Sequence, residues 1–237
     1  MRPFTDNEFL TLWECCINRH PLDRALLILS AAFQETPYET LADWPIGRRN
    51  QALSEFYCNC VGPHLRAWTI CAICSEKLEF EINPQILVGG KREEDQGAAE
   101  LISVNDRTFR IPNSRDLARA ATETDPVVGA KRIVEGCLVE GSPPAKWSDE
   151  ELSAIGEKLG LADPLAEIRL TLQCPSCGND WHEALDLVSF SWRAIESRVQ
   201  HIMYAIHTLA SAYGWSEMEI LSLSETRRAW YMEMARS

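Results

Sequence analysis

Cys-x-x-Cys occurs twice in this chain, at Cys71 and Cys74 and again at Cys174 and Cys177, and each copy lies between two stretches of strand-like alternation. No other feature limits the fold as much, because two thiols in one tight turn aim both sulfurs at a single point. In the first copy, "LRAWTICAICSEKLEFEI", Leu78, Phe80 and Ile82 alternate with Glu79 and Glu81, the period of a half-buried strand. The second, "EIRLTLQCPSCGNDWHEALDL", repeats the order of extended segment, cysteine turn and extended segment. The two stretches share this flanking pattern and little else, and they read as two halves of one site.

Three uses of such thiols compete. Tetrahedral Zn²⁺ takes four ligands, so zinc knuckles come in pairs, and Cys71, Cys74, Cys174 and Cys177 supply one Cys₄ set. A redox pair would instead sit at the amino end of a helix, where the dipole lowers a thiol pKa, whereas both pairs here fall between strands. Cross-linking fits least. The nine cysteines are an odd number, and "MRPFTDNEFLTLWECC" lacks the apolar run of a leader, so the chain is expected in the cytoplasm, where thiols stay reduced. Four buried, unliganded cysteines would leave the duplicated spacing unexplained. Structural zinc is therefore the expected cofactor, and four thiolates would close its shell and make it a staple rather than a reagent. Cys15, Cys16, Cys58, Cys60 and Cys137 lie in helical stretches and are assigned to packing.

Helices are expected at both ends. Thr5 with Glu8, Thr36 with Glu39, Ser148 with Glu151, and Ser216 with Glu219 have the capping-box spacing. Pro21 opens "PLDRALLILSAAF", "PIGRRNQALSEFYCNC" ends near Gly62, Asn113 or Ser114 caps "SRDLARAA", and Pro126 begins "DPVVGAKRIVEGCL". Gly160 is a natural stop for the helix that Ser148 opens, and Ser224 caps a last one. "GGKREEDQG" reads as a loop before a hairpin turning at Asn105 and Asp106. From Val188 to Tyr213, apolar residues alternate four and three apart along one long helix ended by Gly214, a seam expected to face the protein's own core. The expected class is α+β: a small β-sheet with a zinc-ribbon-like site, flanked by amino-terminal helices (residues 1–62) and carboxy-terminal ones (187–237). The mixed region between them spans 63–186, and all three form one compact unit.

Charge narrows the function. Asp and Glu outnumber Lys and Arg by 35 to 23, a net charge of −12, which disfavours broad contact with nucleic acid. No run reaches the roughly 18 apolar residues of a membrane span. The deaminase signature, G-x-S-x-G, the P-loop and G-x-G-x-x-G are absent, and His20, His64, His182, His201 and His207 are scattered. The chain is expected to work without turnover and without a small-molecule substrate. Arg48–Arg49 and Lys131–Arg132 read as solvated helix faces, while Trp215 and Trp230 are split evenly between packing and anchoring a partner.

"IHTLASAYGWSEMEILSLSETRRAWYMEM", with "CPSCGNDWHEALDLVSFSW" and "LADWPIGRRNQAL", resembles the T-even phage baseplate protein family, the baseplate hub assembly chaperones of contractile phage tails and phage-tail-like injection systems. The matching positions include Leu41, Pro45, Gly47, Arg48 and Arg49, the four knuckle cysteines with Trp181, and Trp192, His207, Tyr213, Trp215, Glu219, Arg227, Arg228 and Tyr231. The likeness spans most of the chain, is most specific at the carboxy-terminal end, and is loose over residues 89–144. The knuckles depart from the phage chaperones, which draws the likeness towards the injection-system branch. The resemblance implies a non-enzymatic factor that builds the hub, binding hub or spike proteins, in the cytoplasm or within the particle's baseplate. Trp215, Arg227, Arg228, Trp230 and Tyr231 are the expected partner-binding residues, with both arginines projecting from the last helix. The rival reading is a zinc-ribbon regulator or nucleic-acid-binding module, which would need a basic stripe with interleaved aromatics, and none is visible.

Overall fold

The computed structural model describes residues 2–85, 101–144 and 146–236 of the chain. The class is α+β. The helix α1 (Asp6–Cys16) starts with the Thr5–Glu8 box, and α2 (Pro21–Ala32) with the His20 imidazole accepting from the Leu22 amide. The expected box at Thr36 and Glu39 does not form, and α3 (Tyr38–Ala42) begins behind Pro37 without a side-chain cap. The Thr36 amide is committed to the Phe33 carbonyl at 2.9 Å, and Arg115 holds the Glu39 carboxylate. Next comes α4 (Ile46–Cys60), whose amino end has no local side-chain cap either. Asp163, 116 residues away, accepts from the Gly47 amide at 2.8 Å instead. Only glycine fits there, since a Cβ on Gly47 would lie 1.8 Å from the Asp163 carboxylate.

Two antiparallel ribbons carry the knuckles: β1 (Leu65–Ile70) with β2 (Lys77–Ile82), and further along β6 (Arg169–Gln173) with β7 (Asp180–Ala184). Between them in sequence, β3 (Leu101–Val104) and β4 (Arg107–Arg110) form the expected hairpin, with Asn105 and Asp106 both at positive φ as a two-residue primed turn requires. After α5 (Ser114–Ala120) and α6 (Pro126–Cys137), β5 (Leu138–Glu140) adds a third strand beside β4, where the sequence suggested only the end of a helix. Among the described residues the strands thus form three small antiparallel sheets rather than one. In α7 (Asp149–Ala162) the Ser148–Glu151 box forms, but the helix runs on past Gly160 to Ala162. The buried Leu159 anchors that last turn, and the chain leaves it where Asp163 reaches α4. The loop expected at residues 89–97 lies outside the described residues.

The long helix α8 (Leu187–Tyr213) is followed by α9 (Glu217–Ser222) and α10 (Glu225–Met234), with Gly214 left-handed at φ 69°. Its seam faces inward from Val188 to Leu209, while Tyr213 at its end is exposed. Val188, Trp192, Ile195, Val199 and Ile202 join Phe9, Ile28, Leu29, Leu53 and Phe56 in one core built from both ends of the chain. Residues 101–162 have a second core of Val104, Phe109, Val134, Cys137, Trp147, Ile155 and Leu159. Beside it the fully buried Asp116 carboxylate accepts from both terminal nitrogens of the Arg110 guanidinium at 2.6 and 2.9 Å. Cys16 and Cys137 are buried as expected, whereas Cys15 is exposed, its neighbour having taken the inward face of α1. Among the described residues no helix is long and apolar enough to cross a membrane.

Candidate metal centre

Each ribbon is rooted in the first core and carries its knuckle at the far end. Leu65 is fully buried at the start of β1, and Ile82, Ile168 and Leu170 pack against the same core. The two knuckles fold alike. In the first, the Cys71 amide donates to the Glu76 carbonyl at 2.9 Å and the Ser75 amide to the Cys71 carbonyl at 2.9 Å. In the second, Cys174 donates to Asn179 at 2.8 Å and Gly178 to Cys174 at 2.9 Å. The residue after the second cysteine is left-handed in both, at φ 61° for Ser75 and 72° for Gly178. Glycine takes that conformation freely, whereas serine pays for its Cβ. Ser75→Gly is therefore expected to stabilise the chain by about 0.5–1 kcal/mol, which is the roughly 1–2 kcal/mol of left-handed strain less the entropy that glycine adds to the unfolded state. Urea denaturation of the variant beside the parent checks this, and an unchanged or lower midpoint would contradict it.

The ribbons bring the four expected ligands together. The sulfurs of Cys71, Cys74, Cys174 and Cys177 all lie within 4.8 Å of one another, with Cys71–Cys177 at 3.7 Å and Cys74–Cys174 at 3.5 Å. Cys71 and Cys174 are buried, while Cys74 and Cys177 face solvent. Thr69 on β1 donates to Glu183 on β7 at 3.2 Å, and the Trp181 indole reaches the same carboxylate at 3.3 Å, so the ribbons also meet behind the sulfurs.

The electrostatics suit a cation. The backbone amides of Cys74 and Ile73 point at the Cys71 sulfur and hold its pKa down at about 6. At Cys74 the Glu76 amide pulls the same way, but the neighbouring sulfurs, Cys174 foremost, together with burial push that thiol up to about 12. Four thiolates this close repel one another unless a positive ion sits among them. The cluster can hold a metal ion, and a thiolate set selects a soft one.

The residues expected to bind a partner are only partly gathered. Trp215 stacks on Tyr213 with ring centroids 4.8 Å apart, and Tyr231 meets both rings edge-on at 4.9 and 5.8 Å, so this aromatic trio joins α10 to the end of α8. Arg228 does not project. It turns inward and pairs with Asp6 of α1, because α10 packs that face towards α1 and the long helix α8. Arg227 and Trp230 stay outside, Trp230 with 64% of its surface free. Sequence reasoning missed Met234, one turn beyond Trp230 on the same exposed face, although the i, i+4 spacing was there to read. A comparison of the chain with family models, with curated proteins and with solved structures finds no match.

Proposed function

We propose that this chain is a zinc-stapled, non-enzymatic assembly factor or minor component of the baseplate hub in a contractile phage tail or phage-tail-like injection system. The sequence resemblance supplies the biological setting. Zinc is favoured because four sulfurs at the usual Zn–S distance of about 2.3 Å would stand roughly 3.8 Å apart, close to the 3.5 and 3.7 Å separations across the ribbons. A closed set of thiolates leaves no position for water, so Cys71, Cys74, Cys174 and Cys177 would hold an ion that ties two ribbons and does no chemistry.

The observation that carries a binding role is the outer face of α10. Arg227, Trp230 and Met234 lie exposed on a helix whose other face is fastened by Arg228 and Tyr231. A large aromatic and an arginine held on a rigid element resemble the hot spots of protein interfaces, and little ordering entropy is left to lose on docking. The partner is a hub or spike protein, met in the cytoplasm of the bacterial or infected cell or kept in the particle. Net charge −12 argues against nucleic acid.

A deletion strain is expected to make sheath and tube proteins but few complete, contractile particles, counted by electron microscopy. Trp230→Ala with Arg227→Glu should weaken hub binding on the order of 30-fold or more while the monomer stays folded, because one hot-spot truncation costs about 2 kcal/mol. Normal particle numbers in the deletion strain would refute the assembly role, and unchanged hub affinity in the folded variant would move the docking site elsewhere.

A further inference from the structure

We propose that the four-thiol centre has a second, metal-free way of staying closed: hydrogen peroxide oxidises Cys71 with Cys177 and Cys74 with Cys174, and two disulfides between the ribbons replace the ion. This rests on the metal-centre reading above but concerns the sulfur pairing by itself. The two short sulfur contacts, 3.7 and 3.5 Å, both run between ribbons. Within a knuckle, the amide bonds from Ser75 to Cys71 and from Gly178 to Cys174 fix the turn that presents its two sulfurs to the other ribbon's pair. Sulfurs in a disulfide stand about 2.05 Å apart, so each cross-ribbon pair needs to close by only about 1.5 Å.

Exposure divides the labour in the same pattern, since each cross-ribbon pair joins one exposed residue, Cys177 or Cys74, to one buried residue, Cys71 or Cys174. The oxidant meets the exposed member first. Its thiolate attacks one peroxide oxygen, the S–O bond forms as O–O breaks, and the leaving hydroxide takes up a proton to become water. The buried partner then attacks that sulfur, S–S forms as S–O breaks, and a second water leaves. Each pair gives up two electrons to one hydrogen peroxide, so closing both pairs consumes two and releases the metal. Disulfides within the knuckles would leave the ribbons untied. Disulfides across them keep both knuckles clasped where no reductant protects thiols or metal.

The test uses the full chain, purified under reducing conditions and treated with two equivalents of hydrogen peroxide. Trypsin leaves each knuckle in its own peptide, residues 67–77 and 170–193, so a cross-ribbon disulfide joins two peptides and a within-knuckle one joins none. Free thiols should fall from nine to five, a chromogenic chelator should record loss of all bound zinc, and non-reducing mass spectrometry should find the two peptides linked. Fragmentation of the linked peptides should place the bonds at Cys71–Cys177 and Cys74–Cys174. Closed loops within the single peptides, sulfinic acids at the knuckles, or bonds at Cys71–Cys174 and Cys74–Cys177 would overturn the pairing. Absence of zinc from the starting protein would overturn the metal reading instead, and the linkage would still be read on that metal-free chain.

Discussion

Cys174→Ser is expected to leave purification without zinc and with its two ribbons detached from each other. Zinc in small knuckle peptides contributes roughly 10–16 kcal/mol of apparent binding free energy, and a folded site forms only with the ion. A serine hydroxyl does not replace a thiolate donor, so the three remaining sulfurs cannot complete an ion's shell, and their mutual repulsion is left uncompensated. Behind them the ribbons share the Thr69–Glu183 hydrogen bond and their roots in the first core, which is little to hold them. The thermal midpoint should drop by at least about 10 °C, and amides of β1, β2, β6 and β7 should exchange fastest. Elemental analysis, a melting curve and hydrogen exchange check this together. Cys15→Ser, changed at an exposed thiol outside the centre, is the control and should match the parent. Full zinc and an unchanged midpoint in Cys174→Ser would remove the staple from the account.

The second large effect is expected at Asp6, outside the metal centre. Its carboxylate lies between two guanidinium groups, accepting from Arg198 of α8 at 2.7 Å and from Arg228 of α10. Asp6 and Arg228 each keep only 9% of the side chain exposed, and one Arg228 nitrogen is buried without a partner. Asp6→Ala would strand the Arg228 cation in a poorly solvated site beside a second cation. Breaking a buried pair in this way costs about 3–5 kcal/mol, whereas the pair's net contribution against an apolar replacement is far smaller. Asp6 also stands in the first turn of α1, where a negative charge meets the positive end of the helix dipole. Urea denaturation should show the loss, and α10 should become sensitive to protease. Glu225→Ala removes an exposed partner of Arg198 and should cost no more than about 1 kcal/mol. Equal stability of Asp6→Ala and Glu225→Ala would mean that the clamp fastens nothing.

These two sites differ in how far the sequence reveals them. The knuckles can be read directly, because cysteine spacing and period-two alternation are local properties of the chain. Their union in one centre follows from the metal's need for four ligands. Three capping boxes, at Thr5, Ser148 and Ser216, form as their spacing suggests, since each is a bargain between groups three residues apart. Thr36 and Glu39 have the same spacing and fail, because Phe33 and Arg115 take their groups first. Arg227 and Arg228 are neighbours of one type, yet one lies in solvent and the other is buried against a carboxylate 222 residues away.

The sequence by itself determined the helices at both ends, the two cysteine ribbons, the primed hairpin at Asn105 and Asp106, and the inward seam of α8. Each depends on backbone sterics or on side-chain periodicity within a few turns. Only the tertiary structure decided that Asp163 caps α4, that β5 joins β4, that residues 101–162 keep a core of their own, and that Asp6 holds the last helix. Those contacts join groups far apart in the chain, and many carboxylates and short apolar runs could have filled each role. Which one does so is set by where the packed cores bring the chain close to itself, a property that no local spacing encodes.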